Sequence, residues 1–288
     1  MLPRFMSGIK GDKAMIKEST GAQLIQAAFQ SEKPIFIPFI TAGFPTPAAS
    51  IDIALTLEEA GAGLLELGVP YSDPLADGPT IQTSSHKAIA QGVTLPKVLE
   101  MAKEMRGRGL KIPVILFTYY NPVLQYGTEK LISQLEDYGI DGILIPDLPF
   151  EEAEEVNKLT EQNGRSFISL VAPTSQQRIQ MIASHAQGFL YCVSSLGVTG
   201  ARSTLDDSVV GFLDEVKKHS RVPVAVGFGI SRAEQVQLMA PHCEGYIVGS
   251  ALINILLKNE DVLKDELTRE QGLAEINKFV KELQSGLS

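Results

Sequence analysis

Eight short apolar segments recur along the chain, separated by longer stretches in which apolar residues are spaced as on one face of a helix. Each segment is apolar at consecutive positions, which is the pattern of a strand buried on both faces of a parallel sheet. The eight segments span 35–43, 63–70, 113–121, 142–149, 166–173, 188–195, 222–229 and 245–250. This pattern predicts a parallel sheet that is covered by helices.

The intervening stretches carry helix end signals as well as helical spacing. A glycine follows each of four helical patterns, as is common just beyond a helix C-terminus. These glycines are Gly61, Gly107, Gly139 and Gly164. Strand and helix therefore alternate along the whole chain, which is the order of repeated βαβ units.

Eight βαβ units predict an α/β fold of the (β/α)₈ TIM-barrel type. An extra N-terminal helix, at about 20–30, precedes the first strand and is expected to cover the bottom of the barrel. The alternative is an open, doubly wound sheet, but no GxGxxG sequence follows the first strand. With no linker in sight, we expect a single domain over 19–288, preceded by an extension over 1–18.

Composition limits the possible partners. The chain has 288 residues and a formal net charge of −9, which disfavours nucleic acid or an anionic membrane surface as the main partner. No segment is apolar for the roughly 18 residues that a membrane helix needs. Only two cysteines are present, Cys192 and Cys243, so no disulfide framework is indicated and a reducing cytoplasm is expected.

The residues needed for Schiff-base chemistry and for a catalytic metal are missing at the barrel mouth. The mouth is the end where the strands terminate and where this fold places its active sites. Lys33 and Lys111 precede their strands, and no lysine lies within the eight segments, which argues against a Schiff base. Three histidines also precede strands, on the opposite face: His185, His219 and His242. We therefore expect no catalytic metal and no cofactor.

A carboxylate is the strongest candidate for catalysis. Glu66 lies inside an apolar segment, between Leu65 and Leu67. Burial without a partner would raise the pKa of its carboxyl group, so that the group could both give and take protons near neutral pH. The alternative is a structural role, with Glu66 paired to an arginine in the barrel core.

Three aspartates follow strands. Asp77 lies in the loop after the second segment, where an Asp-Gly sequence is equally typical of a simple turn. Asp73, in Ser-Asp-Pro, has the same two interpretations. Asp147 ends the fourth segment, and the sequence does not separate a reacting group from one that orients loops.

Glycine-rich turns follow the last three strands. They contain Gly200, Gly229 and Gly249, the last followed by Ser250. Glycine allows backbone N–H groups to approach an anion, and the loops after strands seven and eight form the usual phosphate site of a TIM barrel. The loop over 194–205 is long and rich in small residues, so it predicts a mobile lid, although an ordinary surface loop would have the same composition.

Five sequences in chain order resemble the tryptophan synthase alpha subunit family. They are PFITAG (38–43), LELGVPYSDPLADGPTIQ (65–82), SLGVTG (195–200), GFGIS (227–231) and VGSAL (248–252). The resemblance runs from about residue 19 to the C-terminus, and the second sequence is the most specific. Residues 1–17 lie outside it.

The resemblance implies a role for each matching residue. Glu66 matches the catalytic glutamate and Asp77 the catalytic aspartate. The substrate-binding positions that match, for the indole pocket, the lid and the phosphate, are Phe39, Tyr119, Tyr191, Thr199, Gly200, Gly229, Gly249 and Ser250. Pro70 and Asp73 match part of the contact with a partner subunit.

The implied activity is a lyase in the last steps of tryptophan biosynthesis. It would cleave indole-3-glycerol phosphate by a retro-aldol reaction to indole and glyceraldehyde 3-phosphate, without a cofactor of its own. The implied partner is the tryptophan synthase beta subunit in an α2β2 complex. Three alternatives remain: a stand-alone lyase with the same reaction, a non-catalytic regulatory barrel that binds phosphate, and another phosphate-handling barrel enzyme.

Overall fold

Nine short parallel strands form the centre of the molecule. The structure is a computed structural model and describes residues 19–193, 207–227 and 229–287. The strands are β1 Ile35–Thr41, β2 Leu65–Gly68, β3 Val114–Phe117, β4 Gly142–Leu144, β5 Ser166–Phe167, β6 Ser169–Val171, β7 Leu190–Val193, β8 Val224–Gly227 and β9 Gly245–Val248.

Helices follow the strands and surround the sheet. They are α1 Gly21–Ala28, α2 Pro47–Glu59, α3 Pro79–Ala90, α4 Leu95–Gly107, α5 Tyr120–Tyr126, α6 Thr128–Gln134, α7 Glu154–Gln162, α8 Gln176–His185, α9 Asp207–His219, α10 Ala233–Met239, α11 Ser250–Lys258, α12 Glu260–Lys264 and α13 Arg269–Gln284. Short 3₁₀ helices span Phe150–Glu152, Ala240–His242 and Ser285–Leu287. No helix within the described ranges is long and apolar enough to cross a membrane.

The sheet closes on itself, which confirms the predicted barrel. Its strand order is β5-β4-β3-β2-β1-β9-β8-β7-β6. The two ends of this order come from one segment that was predicted as a single strand. The segment divides at Ile168, whose N–H donates to the carbonyl of Ile143 at 2.9 Å, because the chain leaves β4 there and pairs with β7 from Ser169 onward.

Successive side chains along each strand point to opposite faces of the sheet and so contribute to two separate hydrophobic cores. One set points into the barrel and forms an inner cluster that includes Ile37, Leu64, Ile115 and Ile247. The other set points outward and packs under the helices in a larger cluster. Both faces of the strands are therefore buried, which explains why consecutive positions in the segments are mostly apolar.

The predicted N-terminal helix, α1, covers the bottom of the barrel. Thr20 and Gln23 form a capping box at its start, with N···O distances of 3.0 and 3.3 Å between each backbone amide and the other side chain. Ile25 and Phe29 then extend into the inner cluster, where Phe29 packs on Phe189 with 5.4 Å between ring centroids. Water is thus displaced from the closed end of the barrel.

The predicted helix ends at Gly61 and Gly164 are confirmed: these residues follow α2 and α7, with φ angles of 101° and 64° in the left-handed region that favours glycine. The helix α6 ends at Gln134, earlier than predicted, and Gly139, with a φ of 68°, lies in the turns beyond it. The helix α4 ends at Gly107 as predicted, but Gly109, with a φ of 105°, makes the left-handed turn. Either glycine fits the sequence signal, since they are separated by one residue.

Candidate active site

Glu66 points into the barrel from the middle of β2. It pairs in register with Phe39 of β1 and Ile115 of β3, while its neighbours Leu65 and Leu67 point outward to the helices. The residue is 1% exposed, and its Oε1 atom has no hydrogen-bond partner in the described part of the chain. No described arginine or lysine forms an ion pair with it, so the alternative of a structural ion pair finds no support.

Burial dominates the chemistry of this carboxyl group. Removal from water raises the pKa of Glu66 from its ordinary 4.5 to about 8, because the ionised form loses hydration and gains no partner. Glu66 is therefore protonated near neutral pH and lies close to the pH at which it can act as an acid and then as a base.

Asp77 lies in the loop after β2, where it is half-buried. Burial raises the pKa of its carboxyl group to about 6, and a hydrogen bond from the Tyr119 hydroxyl opposes part of that rise. Asp77 is therefore mostly ionised at neutral pH, whereas Glu66 is mostly protonated. Two carboxyl groups with different charge states at the same mouth are the usual arrangement for combined acid and electrostatic catalysis.

Tyr119 holds the loop that carries Asp77. Its hydroxyl accepts the Ala76 N–H at 3.0 Å, in addition to its bond with the Asp77 carboxylate. Its ring stacks on Tyr71 of the same loop, with 5.0 Å between centroids. Gln82 adds a bond from its Nε2 to the Asp77 carbonyl at 2.8 Å. Asp77 is thus held by Tyr119, which follows the neighbouring strand β3, and by Gln82 of α3.

Tyr191 lies near the two carboxyl groups, on the opposite wall of the barrel. It lies on β7, and burial raises its pKa well above the ordinary value, with a further contribution from negative charge on Glu66 and Asp77. Gly227 of β8 leaves room for the ring, since a Cβ there would lie 2.4 Å from Tyr191 Cε2. A bulkier residue in the eighth strand would displace the tyrosine.

Aromatic rings line the apolar part of the mouth. Phe39, on β1 beside Glu66, packs edge-on against Phe117 of β3, with 5.3 Å between centroids and an interplanar angle of 78°. Gly68 must remain small, because a Cβ there would lie 2.5 Å from Phe39. These rings offer a flat, apolar surface to an aromatic ligand.

A cavity of about 580 Å³, here called the mouth cavity, opens between α3, β7 and the turns after β8 and β9. Three predicted phosphate residues line it: Gly229, Gly249 and Ser250. Gly229 has a φ of 70°, and Ser250 begins α11, whose N-terminus has no side-chain cap. Free N–H groups and the positive end of the helix dipole therefore face the mouth cavity.

Two predicted substrate residues, Thr199 and Gly200, lie outside the described residues, as does the predicted lid over 194–205. The partner residues are described: Pro70 is buried directly after β2, and Asp73 is exposed, with the Ser72 hydroxyl donating to it at 2.7 Å. Leu75, 94% exposed, lies beside them on the outer surface of the same loop.

Asp147 has a structural contact. Its Oδ1 accepts the N–H of Tyr120, the first residue of α5, at 2.9 Å. The contact holds the start of α5, and with it the preceding Tyr119, so the interpretation of Asp147 as a loop-orienting group is the better one. In the described residues no group of three His, Cys, Asp or Glu side chains is arranged to hold a metal ion.

Several residues of the site were missed in the sequence. Tyr71, Gln82 and Asn121 hold the Asp77 loop, with Asn121 donating to the Tyr71 hydroxyl at 3.3 Å. Arg232 and Asn254 line the mouth cavity. Their positions directly after strands, or in the helices that follow, were the available signal, but nothing in their spacing indicated which side chains would converge.

Comparison with known proteins gives a consistent result. A family model described as tryptophan synthase alpha chain matches residues 25–284. A protein of that name from Geobacillus sp. (strain WCH70) is 57% identical over 255 residues, which cover 88% of this chain and 97% of the relative.

Solved structures agree. Tryptophan synthase subunit alpha from Legionella pneumophila str. Paris superimposes with a TM-score of 0.81 at 32% identity, covering 93% of this chain and 97% of that one. A chain from the tryptophan synthase α2β2 complex of Pyrococcus furiosus gives a TM-score of 0.77 at 34% identity, covering 87% and 98%.

Proposed function

Since the chain belongs to the tryptophan synthase alpha chain family, we propose that its reaction takes place at the mouth described above, with Glu66 and Asp77 as the catalytic groups. The reaction is the lyase step of tryptophan biosynthesis, which cleaves indole-3-glycerol phosphate. The observation that supports the assignment best is Glu66 itself, a buried carboxyl group with a pKa of about 8 whose Oε1 atom has no hydrogen-bond partner in the described part of the chain.

Glu66 can serve both proton transfers. Indole is a poor leaving group as a carbanion, so its ring carbon three must first be protonated, and the protonated Glu66 supplies that proton. The resulting carboxylate then takes the proton of the adjacent glycerol hydroxyl as the carbon–carbon bond breaks. The bonding electrons return to the ring, indole and an aldehyde are released, and Glu66 recovers its starting state.

Asp77 stabilises the intermediate of this sequence. Protonation of the ring carbon places positive charge on the indole nitrogen, and an ionised Asp77 accepts its N–H and offsets that charge. The aromatic wall at Phe39 and Phe117 holds the indole ring. The phosphate binds across the mouth at the turns with Gly229, Gly249 and Ser250, together with Thr199 and Gly200, and fixes the glycerol chain.

We also propose that the chain works with a beta subunit in an α2β2 complex in the cytoplasm. The Pyrococcus furiosus neighbour is part of such a complex, and the exposed Asp73 and Leu75, in the loop that follows the buried Pro70, offer a contact beside the active site. Both cysteines are free and buried, as suits a reducing compartment. A stand-alone lyase would show no change in rate at saturating beta subunit.

The test is an indole-release assay on the wild type, Glu66→Gln and Asp77→Asn. Glu66→Gln should lower the rate at least about a hundredfold, the usual scale of acid–base catalysis. Glu151→Gln, an exposed carboxyl on the 3₁₀ helix after β4, is the matched control and should leave the rate unchanged. Near wild-type turnover in Glu66→Gln would refute the assignment.

A further inference from the structure

Arg232 is the cationic side chain of the mouth cavity. Among the described residues that line this cavity, the others are glycines, apolar and hydroxyl side chains, an amide and Tyr191. We propose that the Arg232 guanidinium binds the substrate phosphate, so that this chain adds a full positive charge to a site whose other described residues are backbone and neutral groups. The inference rests on the proposed function and extends it to one more ligand-binding residue.

The turn after β8 has few backbone donors left for an anion. The Gln235 Oε1 atom accepts the N–H of Ser231 at 2.9 Å, the N–H of Arg232 at 3.1 Å and the Ser231 hydroxyl at 3.2 Å. These donors are already satisfied within the protein. What this turn can still offer a phosphate is therefore the Gly229 region and the Arg232 side chain.

The opposite wall of the mouth cavity supplies only partial charges. The uncapped start of α11 at Gly249 and Ser250 presents N–H groups. Asn254 on the same helix is engaged through its Oδ1 by the Thr80 hydroxyl at 3.4 Å. A phosphate monoester carries close to two negative charges at neutral pH. A guanidinium supplies the counter-charge that these groups lack, and its planar N–H groups can bind two phosphate oxygens at once.

The Arg232 side chain is available for this role. It is exposed at the rim of the mouth cavity, and no described carboxylate forms an ion pair with it. The protein has a net charge of −9, which repels an anionic substrate in general. A cation at the entrance counteracts this repulsion locally and raises the anion concentration there.

The experiment compares Arg232→Gln with Arg221→Gln. Both arginines are exposed and flank β8, Arg232 after its end at the mouth and Arg221 before its start at the bottom of the barrel. We expect Arg232→Gln to raise the KM for indole-3-glycerol phosphate by up to about fivefold with kcat within about twofold, the scale of one exposed ion pair. Arg221→Gln should change neither value.

Binding of probes tests the chemistry directly. The affinity for glycerol 3-phosphate, measured by calorimetry, should fall by up to about fivefold in Arg232→Gln, while the affinity for indole stays unchanged. Arg232→Lys should recover part of the loss, and the loss should shrink as the salt concentration rises. An unchanged KM and glycerol 3-phosphate affinity in Arg232→Gln, or an equal change in Arg221→Gln, would overturn the inference.

The two proposals can fail separately. If wild-type protein releases no indole, the proposed function fails, yet glycerol 3-phosphate binding still reports on Arg232. If the wild type is active and Glu66→Gln is not, but Arg232→Gln binds glycerol 3-phosphate as the wild type does, only the role of Arg232 is lost.

Discussion

At the scale of single residues, two carboxyl groups, one on β2 and one in the loop after it, differ in charge because they differ in burial and partners. Glu66 is buried, its Oε1 has no hydrogen-bond donor among the described residues, and burial raises its pKa to about 8. Asp77 is less buried and accepts the Tyr119 hydroxyl, and its pKa reaches only about 6. The protein thereby obtains an acid and an anion from the same functional group.

This difference predicts a bell-shaped dependence of kcat/KM on pH. Below pH 6 Asp77 becomes protonated and no longer offsets charge on the indole nitrogen, while above pH 8 Glu66 loses the proton that it must donate. We expect the acid limb of the kcat/KM profile near pH 6 and the basic limb near pH 8, measured by indole release across that range. The acid limb should disappear in Asp77→Asn, and an acid limb that persists there would assign it to another group.

Tyr119→Phe should shift the acid limb to higher pH. The substitution keeps the ring that stacks on Tyr71 but removes the hydroxyl that lowers the pKa of Asp77, so Asp77 protonates more readily. We expect kcat/KM at neutral pH to fall roughly tenfold, the scale of one hydrogen bond to a charged group.

The control for this variant is Tyr126→Phe. It removes a tyrosine hydroxyl on α5 that bonds to Gln134 at 2.8 Å, remote from Asp77. Its pH profile should match that of the wild type. An equal shift in both variants would mean that the hydroxyl of Tyr119 acts through helix α5 and not on Asp77.

The sequence was more informative about Glu66 than about Tyr119. A carboxylate in an apolar strand is conspicuous in any sequence, and its burial follows from its neighbours. The contact between Tyr119 and Ala76 joins residues 43 positions apart, and it depends on β2 and β3 being neighbours with a particular register. Such a contact has no local sequence pattern. The family resemblance singled out Tyr119, but for a different role, in the indole pocket.

At the scale of elements, α1 functions as the floor of the barrel. Ile25 of this helix is fully buried in the inner cluster, together with side chains from the strands, whereas Leu24 on the other face is 37% exposed. The Ile25 side chain therefore fills the interior of the barrel, whereas the neighbouring Leu24 side chain does not.

Ile25→Ala should destabilise the protein by about 2–5 kcal/mol, the range for a large buried side chain whose cavity only partly collapses. Leu24→Ala should cost less than about 1 kcal/mol, since its side chain already contacts water. Urea denaturation of both variants measures the difference. Equal losses would contradict the packing of α1 against the barrel floor.

The division of the fifth strand could not be predicted at this scale. The segment 166–173 is mostly apolar, with Ser166 and Ser169 as its polar residues, and apolarity reports burial but not pairing partners. The break at Ile168 arises because the barrel must close, and closure is a property of all the strands together.

At the scale of the whole molecule, we propose that the functional domain begins at residue 19. The first described contacts are those of the Thr20 capping box, and the family match begins at residue 25. Deletion of 1–18 should therefore leave the melting temperature and the lyase rate unchanged, both alone and with a beta subunit. Loss of either property on deletion would extend the domain to the N-terminus.

The closure at Ile168 has a consequence for which substrates can react. In the proposed function, Glu66 on β2 and Asp77 in the loop after it act on the breaking bond, whereas the turns after β8 and β9 bind the phosphate. Both groups of strands belong to one closed barrel. The distance between the phosphate-binding turns and Glu66 is therefore fixed by the backbone. A substrate whose carbon chain is one carbon shorter or longer than glycerol would therefore remain bound but place a different bond beside Glu66.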